Sequence, residues 1–490
     1  MRVSVLDGVE PVAFWQRFEE LTTIARPSRH EEPVIAWVKD WAAERGFELS
    51  QDAGRNLVIR VPATPGREAA PTLILQGHLD MVCERNPDSA NDPAEGRIVL
   101  LRDGDWLTAD GTTLGADDGV AITAMMTLVE DASIPHGPLE LLMTVAEEVG
   151  LEGANALDGS VLTGKTLMNL DSEEDGVLTV GCAGSTDTWV HVDAPREVCA
   201  ADSVTLSLAA GGGFGGHSGV QIALGRANAI KVLGRVLREA HAAAPFRLVS
   251  LNGGKSRNAI PRDAVAVCSV PADQEGAFRG AVRVATATVS DAYAKTDAGA
   301  TVTVDATADA ADAWTGDATT TLLDVVALVP TGPLAMSPDF GGLVETSTSL
   351  GEAITEGGRL TLHSLSRSSN DSALPEVIAA LDAAARLAGG TLEVKHNYNG
   401  WRPELDSPLL AVARTVYEEQ FGEPPVVSAI HAGLETAVIG TKVSGHLDML
   451  AIGPQIEGPH SPDERVSIPT VQRFWKLLVS IVDSHSRVTG

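Results

Sequence analysis

The chain alternates two kinds of hydrophobic pattern. Residues 11–46 carry apolar side chains at helical spacing on either side of a Pro27-Ser-Arg-His turn, which predicts two amphipathic helices. Short apolar runs follow at 56–61, 72–75, 139–145 and 167–170, each the length of a buried strand. Between the second and third, residues 119–131 set Val120, Ile122, Ala124, Met125, Leu128 and Val129 on a broad helical face. Strands alternating with helices predict an α/β sheet covered on both faces.

The texture changes after Gly181-Cys-Ala-Gly-Ser. Strands at 204–208, 264–270 and 301–305 alternate in the half-exposed manner, amid Thr, Ser, Ala and Gly. Two stretches repeat a pattern of strand, small-residue turn and Ala-rich helix. One runs from Val204 through a helix at 227–243, and the other from Leu360 through a helix at 375–387 to a strand at 391–396. From Trp401 the α/β texture returns, with a helix at 407–421, a strand at 449–452 and a last helix at 470–482.

Composition narrows the function classes. The 490 residues carry 36 Lys and Arg against 66 Asp and Glu, a net charge of −30. With no basic cluster, a nucleic-acid or anionic-membrane partner is excluded. The first ten residues reach acid before any apolar segment forms, so no signal peptide is expected, and no apolar run approaches a membrane span. Four scattered cysteines form no disulfide framework and fit a reducing cytoplasm.

The acidic and histidine residues fall where strands end. Gln76-Gly-His78-Leu-Asp80 follows one apolar run, Ala146-Glu147-Glu148 a second, and Asp171 a third, while the run at 449–452 leads into a loop reaching His460. In open α/β sheets, sites form beyond the carboxyl ends of strands. His78 and Asp80, two apart, share one side of an extended segment, so Asp80 can hold the imidazole proton while the other nitrogen binds metal. Asp117 lies in Gly115-Ala-Asp117-Asp118-Gly119, opening a helix, where a capping role competes with a ligand role. Of the neighbours Glu147 and Glu148, one suits a metal and the other a free base. Two histidines and several carboxylates at one edge suit a pair of divalent ions, zinc favoured by the imidazoles.

These segments resemble the aminoacyl-histidine dipeptidases, cytosolic non-specific dipeptidases of the dinuclear-zinc aminoacylase and carboxypeptidase group. The resemblance rests on Gln-Gly-His78-Leu-Asp80-Met, Gly111-Thr-Thr-Leu-Gly-Ala-Asp117-Asp-Gly, Thr-Val-Ala-Glu147-Glu148-Val-Gly and Asn169-Leu-Asp171-Ser-Glu-Glu. It extends to Gly181-Cys-Ala-Gly, Arg257-Asn-Ala-Ile-Pro, His431-Ala-Gly-Leu-Glu and Ile452-Gly-Pro-Gln-Ile-Glu-Gly-Pro-His460-Ser-Pro-Asp-Glu-Arg. It implies two zinc ions per chain, with cobalt or manganese able to serve the same donors. His78 is then a ligand to one zinc, Asp80 the acid orienting it, Asp117 the bridge, Glu148 a zinc ligand, and Asp171 with His460 the ligands of the other zinc. Asp118 stands where relatives often have Asn. Glu147 is the implied general base toward a water bridging the ions.

Gly211-Gly-Gly-Phe-Gly-Gly-His217-Ser-Gly lacks the spacing of a dinucleotide loop. The resemblance instead sets His217 at the scissile carbonyl and Asn258 and Arg367 at the substrate carboxylate, although for Arg367 a plain surface role stays open. The implied architecture is α/β: a catalytic domain with a helix-covered mixed sheet, residues 1–184 and 400–490, and an inserted α+β lid of duplicated pattern, residues 185–399. The implied activity is hydrolysis of unblocked dipeptides, Xaa-His included, in the cytoplasm. An N-acyl-amino-acid deacylase on the same fold and a catalytically retired metal-binding protein remain open, as does a homodimer in which His217 serves a partner's site.

Overall fold

The computed structural model describes residues 5–487. The chain divides into two compact units. The first comprises the stretch through Gly181, Pro403–Ala429 and the residues from Leu434 onward; the second comprises Cys182–Arg402 and Ile430–Gly433.

The first unit is built on an eight-stranded mixed sheet. Its order is Glu48–Gln51, Leu57–Val61, Leu139–Thr144, Leu73–His78, Thr166–Asn169, Asp448–Ala451, Val177–Cys182 and Val426–Ile430. The four strands Leu139–Thr144, Leu73–His78, Thr166–Asn169 and Asp448–Ala451 lie side by side and parallel. Every residue of the first two is buried, as expected where both faces are covered. The helix Ala116–Glu130 packs on the Leu73–His78 strand, and it is buried on all sides from Ala116 to Leu128.

The apolar run ends at Leu75, yet the strand continues to His78. Polar groups inside the sheet make this extension possible. Asn169 Nδ2 donates to Gln76 Oε1 at 2.8 Å, and Gln76 Nε2 donates to Glu435 Oε2 at 2.6 Å, so the amide of Gln76 is satisfied without water. Thr144 donates to the same Glu435 oxygen at 2.6 Å.

The second unit carries a nine-stranded antiparallel sheet containing two split β-α-β-β-α-β motifs. One comprises Ser203–Gly211, helix Ala229–Ala243, Arg247–Gly253, Ala264–Pro271, helix Glu275–Ala292 and Thr301–Ala306. The other comprises Gly184–Asp193, helix Gly316–Leu328, Val344–Glu356, Arg359–Ser368, helix Leu374–Leu387 and Thr391–Tyr398. They join where Arg247–Gly253 meets Val344–Glu356. The sequence pattern equates the Val204 and Leu360 stretches; the structure puts them out of phase, one opening its motif and the other closing its own. The intervening helices Glu275–Ala292 and Gly316–Leu328 are rich in Ala, Thr and Val, whose helical periodicity shows weakly in the sequence.

Among the described residues no helix is long and apolar enough to cross a membrane. All four cysteines are free thiols.

Candidate metal centre

The four parallel strands deliver their side chains to one end. His78 closes its strand, Glu147 and Glu148 follow Leu139–Thr144, Asp171 follows Thr166–Asn169, and His460 lies in the loop beyond Asp448–Ala451. Asp117 comes from the first turn of the Ala116–Glu130 helix, where φ −82° and ψ 109° depart from helical values. Its carboxylate does not cap the helix. Oδ1 lies 3.0 Å from His78 Nε2, and Oδ2 lies 3.2 Å from His460 Nε2.

Two donor sets therefore share Asp117. His78 Nε2 is 3.6 Å from Asp171 Oδ1, and His460 Nε2 is 2.9 Å from Glu148 Oε2. These proximities differ from the grouping expected from sequence, which set Asp171 with His460. Asp171 is carried by the strand adjacent to His78, whereas the His460 loop reaches the Glu147-Glu148 turn. Oxygen and nitrogen atoms within 4.8 Å of one another form three candidate triads: His78, Asp118 and Asp171; His78, Glu147 and Glu148; and Asp117, Glu148 and His460.

Asp80 braces the centre from behind. His78 Nδ1 faces the Asp80 carbonyl at 3.2 Å and its carboxylate at 3.5 Å, two acceptors that place the ring proton on Nδ1 and free Nε2 for a metal. Asp80 also accepts the N–H of Glu147 at 3.0 Å, the N–H of Glu148 at 3.3 Å and the Ser28 hydroxyl at 2.7 Å. Ala146, which aims the two glutamates, is left-handed at φ 51°, and its N–H is held by Glu31 at 3.1 Å.

Asp118 turns away from its neighbour, and the peptide joining them is cis. Its Oδ2 accepts the His78 N–H at 3.0 Å. That approach needs Gly77, because a Cβ there would press on the Asp118 carboxylate and lie 2.6 Å from Ala121 Cβ.

The electrostatics favour a cation. Burial, reinforced by the negative charges of Asp171, Glu148 and Glu435, holds the Glu147 carboxyl well above the usual carboxylate range. Burial also raises Asp118, with Asp171 adding to it, and lifts Asp171 to about 6 and Glu435 to about 7. Burial lifts Glu173 to about 8, with Asp117 and Asp171 adding to it. Burial alone would lower His78, yet Asp171, Asp117 and Asp80 raise it well above its ordinary value. So much buried negative charge opposes itself unless divalent ions offset it. Buried Glu148 Oε1 has no hydrogen-bond partner, as an oxygen reserved for a metal would. The mixed imidazole and carboxylate donors fit borderline divalent ions such as zinc.

His217, Asn258 and Arg367 belong to the second unit. His217 sits in a two-residue strand paired with Ala259–Ile260, and its Nδ1 accepts the N–H groups of Gly219 and Val220, each at 3.2 Å. The Asn258 carbonyl accepts the Ser218 N–H at 2.8 Å. Arg367 is no surface residue: it is 5% exposed, in the strand Arg359–Ser368. Gly219 brings it beside His217 and His431, since a Cβ there would lie 2.9 Å from His217 Cε1, 3.2 Å from Arg367 Nε and against the His431 carbonyl.

Sequence reasoning assigned no role to four residues at this centre. Arg26, fully buried, donates to the carbonyls of Leu79, Asp80 and Gly115. Glu464 accepts backbone N–H groups of the Asp117 turn, and Gln76 and Glu435 form the polar network beneath His78. Gln76, Glu435 and Glu464 all lie in the segments that carry the resemblance, whereas Arg26 lies in none of them.

The sequence profile of peptidase family M20/M25/M40 matches residues 74–484. The cytosol non-specific dipeptidase of Escherichia coli strain K12 is 37% identical over 480 residues, covering 98% of this chain and 99% of its own length. The crystal structure of aminoacylhistidine dipeptidase from Vibrio alginolyticus superposes with a TM-score of 0.88 at 36% identity, over 98% of each chain. A tripeptidase from Staphylococcus aureus shares the fold at a TM-score of 0.56 and 15% identity, covering 98% of this chain and all of its own.

Proposed function

Because the chain belongs to peptidase family M20/M25/M40, we infer that its reaction is the metal-dependent hydrolysis of dipeptides. The resemblance drawn from its motifs and the near full-length relatives agree on this activity. The finer reading is that two zinc ions bind per chain, one at His78, Asp117 and Asp171, the other at Asp117, Glu148 and His460. Cobalt or manganese would suit the same donors. The observation that carries this reading is the single carboxylate of Asp117 facing two imidazoles through its two oxygens, at 3.0 and 3.2 Å.

When bound, the ion pair supplies Lewis acidity to the scissile carbonyl and lowers the pKa of water. Glu147 is the proposed general base. Beside Glu148 at the strand end, with its backbone N–H held by Asp80, its carboxylate would take a proton from the attacking water and pass that proton to the leaving amine. Asp80 keeps His78 in the ligand tautomer and fixes the Glu147 backbone, two tasks for one side chain. Within the second unit, Arg367, buried and with Nε unpartnered, is the proposed binder of the substrate carboxylate, and Asn258 is proposed to share that role. His217 is the proposed donor to the developing oxyanion. The same reading assigns residues 1–184 and 400–490 to catalysis and 185–399 to an inserted lid, and sets the protein in the cytoplasm.

The substrate is proposed to be an unblocked dipeptide, Xaa-His included. The test compares the metal-free and zinc-reloaded chain on a dipeptide and on its N-acetyl form. The expected result is zinc-dependent hydrolysis of the unblocked dipeptide alone. Equal or faster turnover of the N-acetyl form would establish a deacylase instead. Turnover of neither would indicate a protein that binds metal without catalysis.

A further inference from the structure

The Asp117 turn and the His460 loop are far apart in sequence, yet one side chain ties them together. Glu464, four residues after His460 and 2% exposed, accepts four consecutive backbone N–H groups. Oε2 takes those of Leu114 and Gly115 at 2.7 and 2.9 Å, and Oε1 those of Ala116 and Asp117 at 2.8 and 3.3 Å. Its own backbone is fixed as well. The Glu464 N–H donates to the Ser461 carbonyl at 3.0 Å, and Thr108 Oγ1 donates to the Glu464 carbonyl at 2.7 Å. The next strand, Arg465–Ser467, pairs with Trp106–Ala109. Arg26 donates to the Gly115 carbonyl together with those of Leu79 and Asp80. An anion grips the N–H groups of the turn and a cation its carbonyl.

We propose that Glu464 is a positioning residue for the metal centre: by gripping the backbone of residues 114–117 it fixes Asp117 against His460 and so sets the affinity for divalent ions. The proposal rests on the reading of Asp117 and His460 as ligands. A bridging carboxylate serves both ions, so slack in its turn weakens both sites, and most of all the one that also uses His460. Replacing Glu464 by Gln keeps the volume but leaves one oxygen. Its amide N–H₂ then meets two backbone donors with no acceptor between them.

A built-in control is Glu140. It is also buried, and its carboxylate accepts the N–H groups of Thr163 and Gly164 at 3.0 to 3.1 Å, at the end of its strand away from the ligands.

The experiment is zinc competition with a chromogenic chelator on the full-length parent, E464Q, E140Q, D117N and H460A. Zinc affinity is expected to fall about 10–100-fold in E464Q, the range for groups that orient metal ligands. E140Q should stay within about threefold of the parent, inside ordinary context scatter. Parent-like affinity in E464Q, with D117N and H460A weakened, overturns the positioning role. An equal loss in E140Q overturns it too, because general destabilisation would then account for the effect. Unchanged affinity in D117N and H460A would instead bring down the ligand assignment beneath it. Amide hydrogen exchange on the metal-free parent reads the same contact without a variant. The Leu114, Gly115 and Ala116 amides should be protected, and exchange at open-loop rates overturns the proposal.

Discussion

Asp80 Oδ1 accepts the backbone N–H of Glu147 at 3.0 Å, while the same carboxylate stands 3.5 Å from His78 Nδ1. One buried anion thus sets the tautomer of the proposed metal-binding imidazole and the position of the proposed base. Burial would raise its pKa, but the hydrogen bonds from His78, Ser28 and Glu147 hold it below the usual carboxylate range.

Asp80→Asn removes that charge while keeping the shape. Activity and zinc affinity should each fall about 10–100-fold, as for other groups that orient metal ligands. Steady-state kinetics alongside chelator competition checks both, and a variant equal to the parent in both would show that Asp80 is only packing.

Gly77 lies between His78 and Gln76 where Asp118 comes closest to the strand. Gly77→Ala should destabilise the fold by about 1–3 kcal/mol, because its methyl meets Ala121 and the Asp118 carboxylate in a closed interior. Urea unfolding of the metal-free variant measures this. A loss under about 0.5 kcal/mol would mean that the strand and helix shift apart freely.

His431 in the second unit couples stability to pH. Burial first, then the neighbouring Arg367 guanidinium and the His217 ring, lowers its pKa to about 3, and Ser347 Oγ lies 2.7 Å from its Nε2. The unfolded chain takes up this proton near pH 6.5 and the folded chain only near 3. Its neutral state therefore costs stability as pH falls through that window, by up to about 1.4 kcal/mol per unit. His431→Gln cannot take up the proton, so its urea midpoint should fall less than the parent's between about pH 7 and 4.5. Identical pH slopes would contradict the assignment.

The strand-end placement of the candidate residues is legible in the sequence because each follows an apolar run directly, so local spacing alone sets His78, Glu147, Glu148 and Asp171 at strand ends. Asp117 is legible from its Gly-flanked turn. What spacing does not show is which donors meet: His78 stands 3.6 Å from Asp171 and His460 2.9 Å from Glu148, because strand order, not sequence order, decides neighbours. The strand extension to His78 is hidden because Gln76 looks like a loop residue until Asn169 and Glu435 satisfy its amide. Glu464 and Arg26 act on backbone groups remote in sequence, 350 residues away for Leu114, and no local pattern encodes such contacts. In the second unit, Phe278, Val282, Ala285 and Val289 form a helical stripe, but Ala, Thr and Val around them blur it.

Glu147 is proposed to move the proton while other residues hold the metals, and Glu147→Gln separates the two tasks. The measurement is kcat on an unblocked dipeptide together with bound zinc per chain in the same preparation. The account predicts a kcat lower by about 10²–10⁴-fold with zinc content unchanged. Turnover within about tenfold of the parent at full zinc content would contradict it.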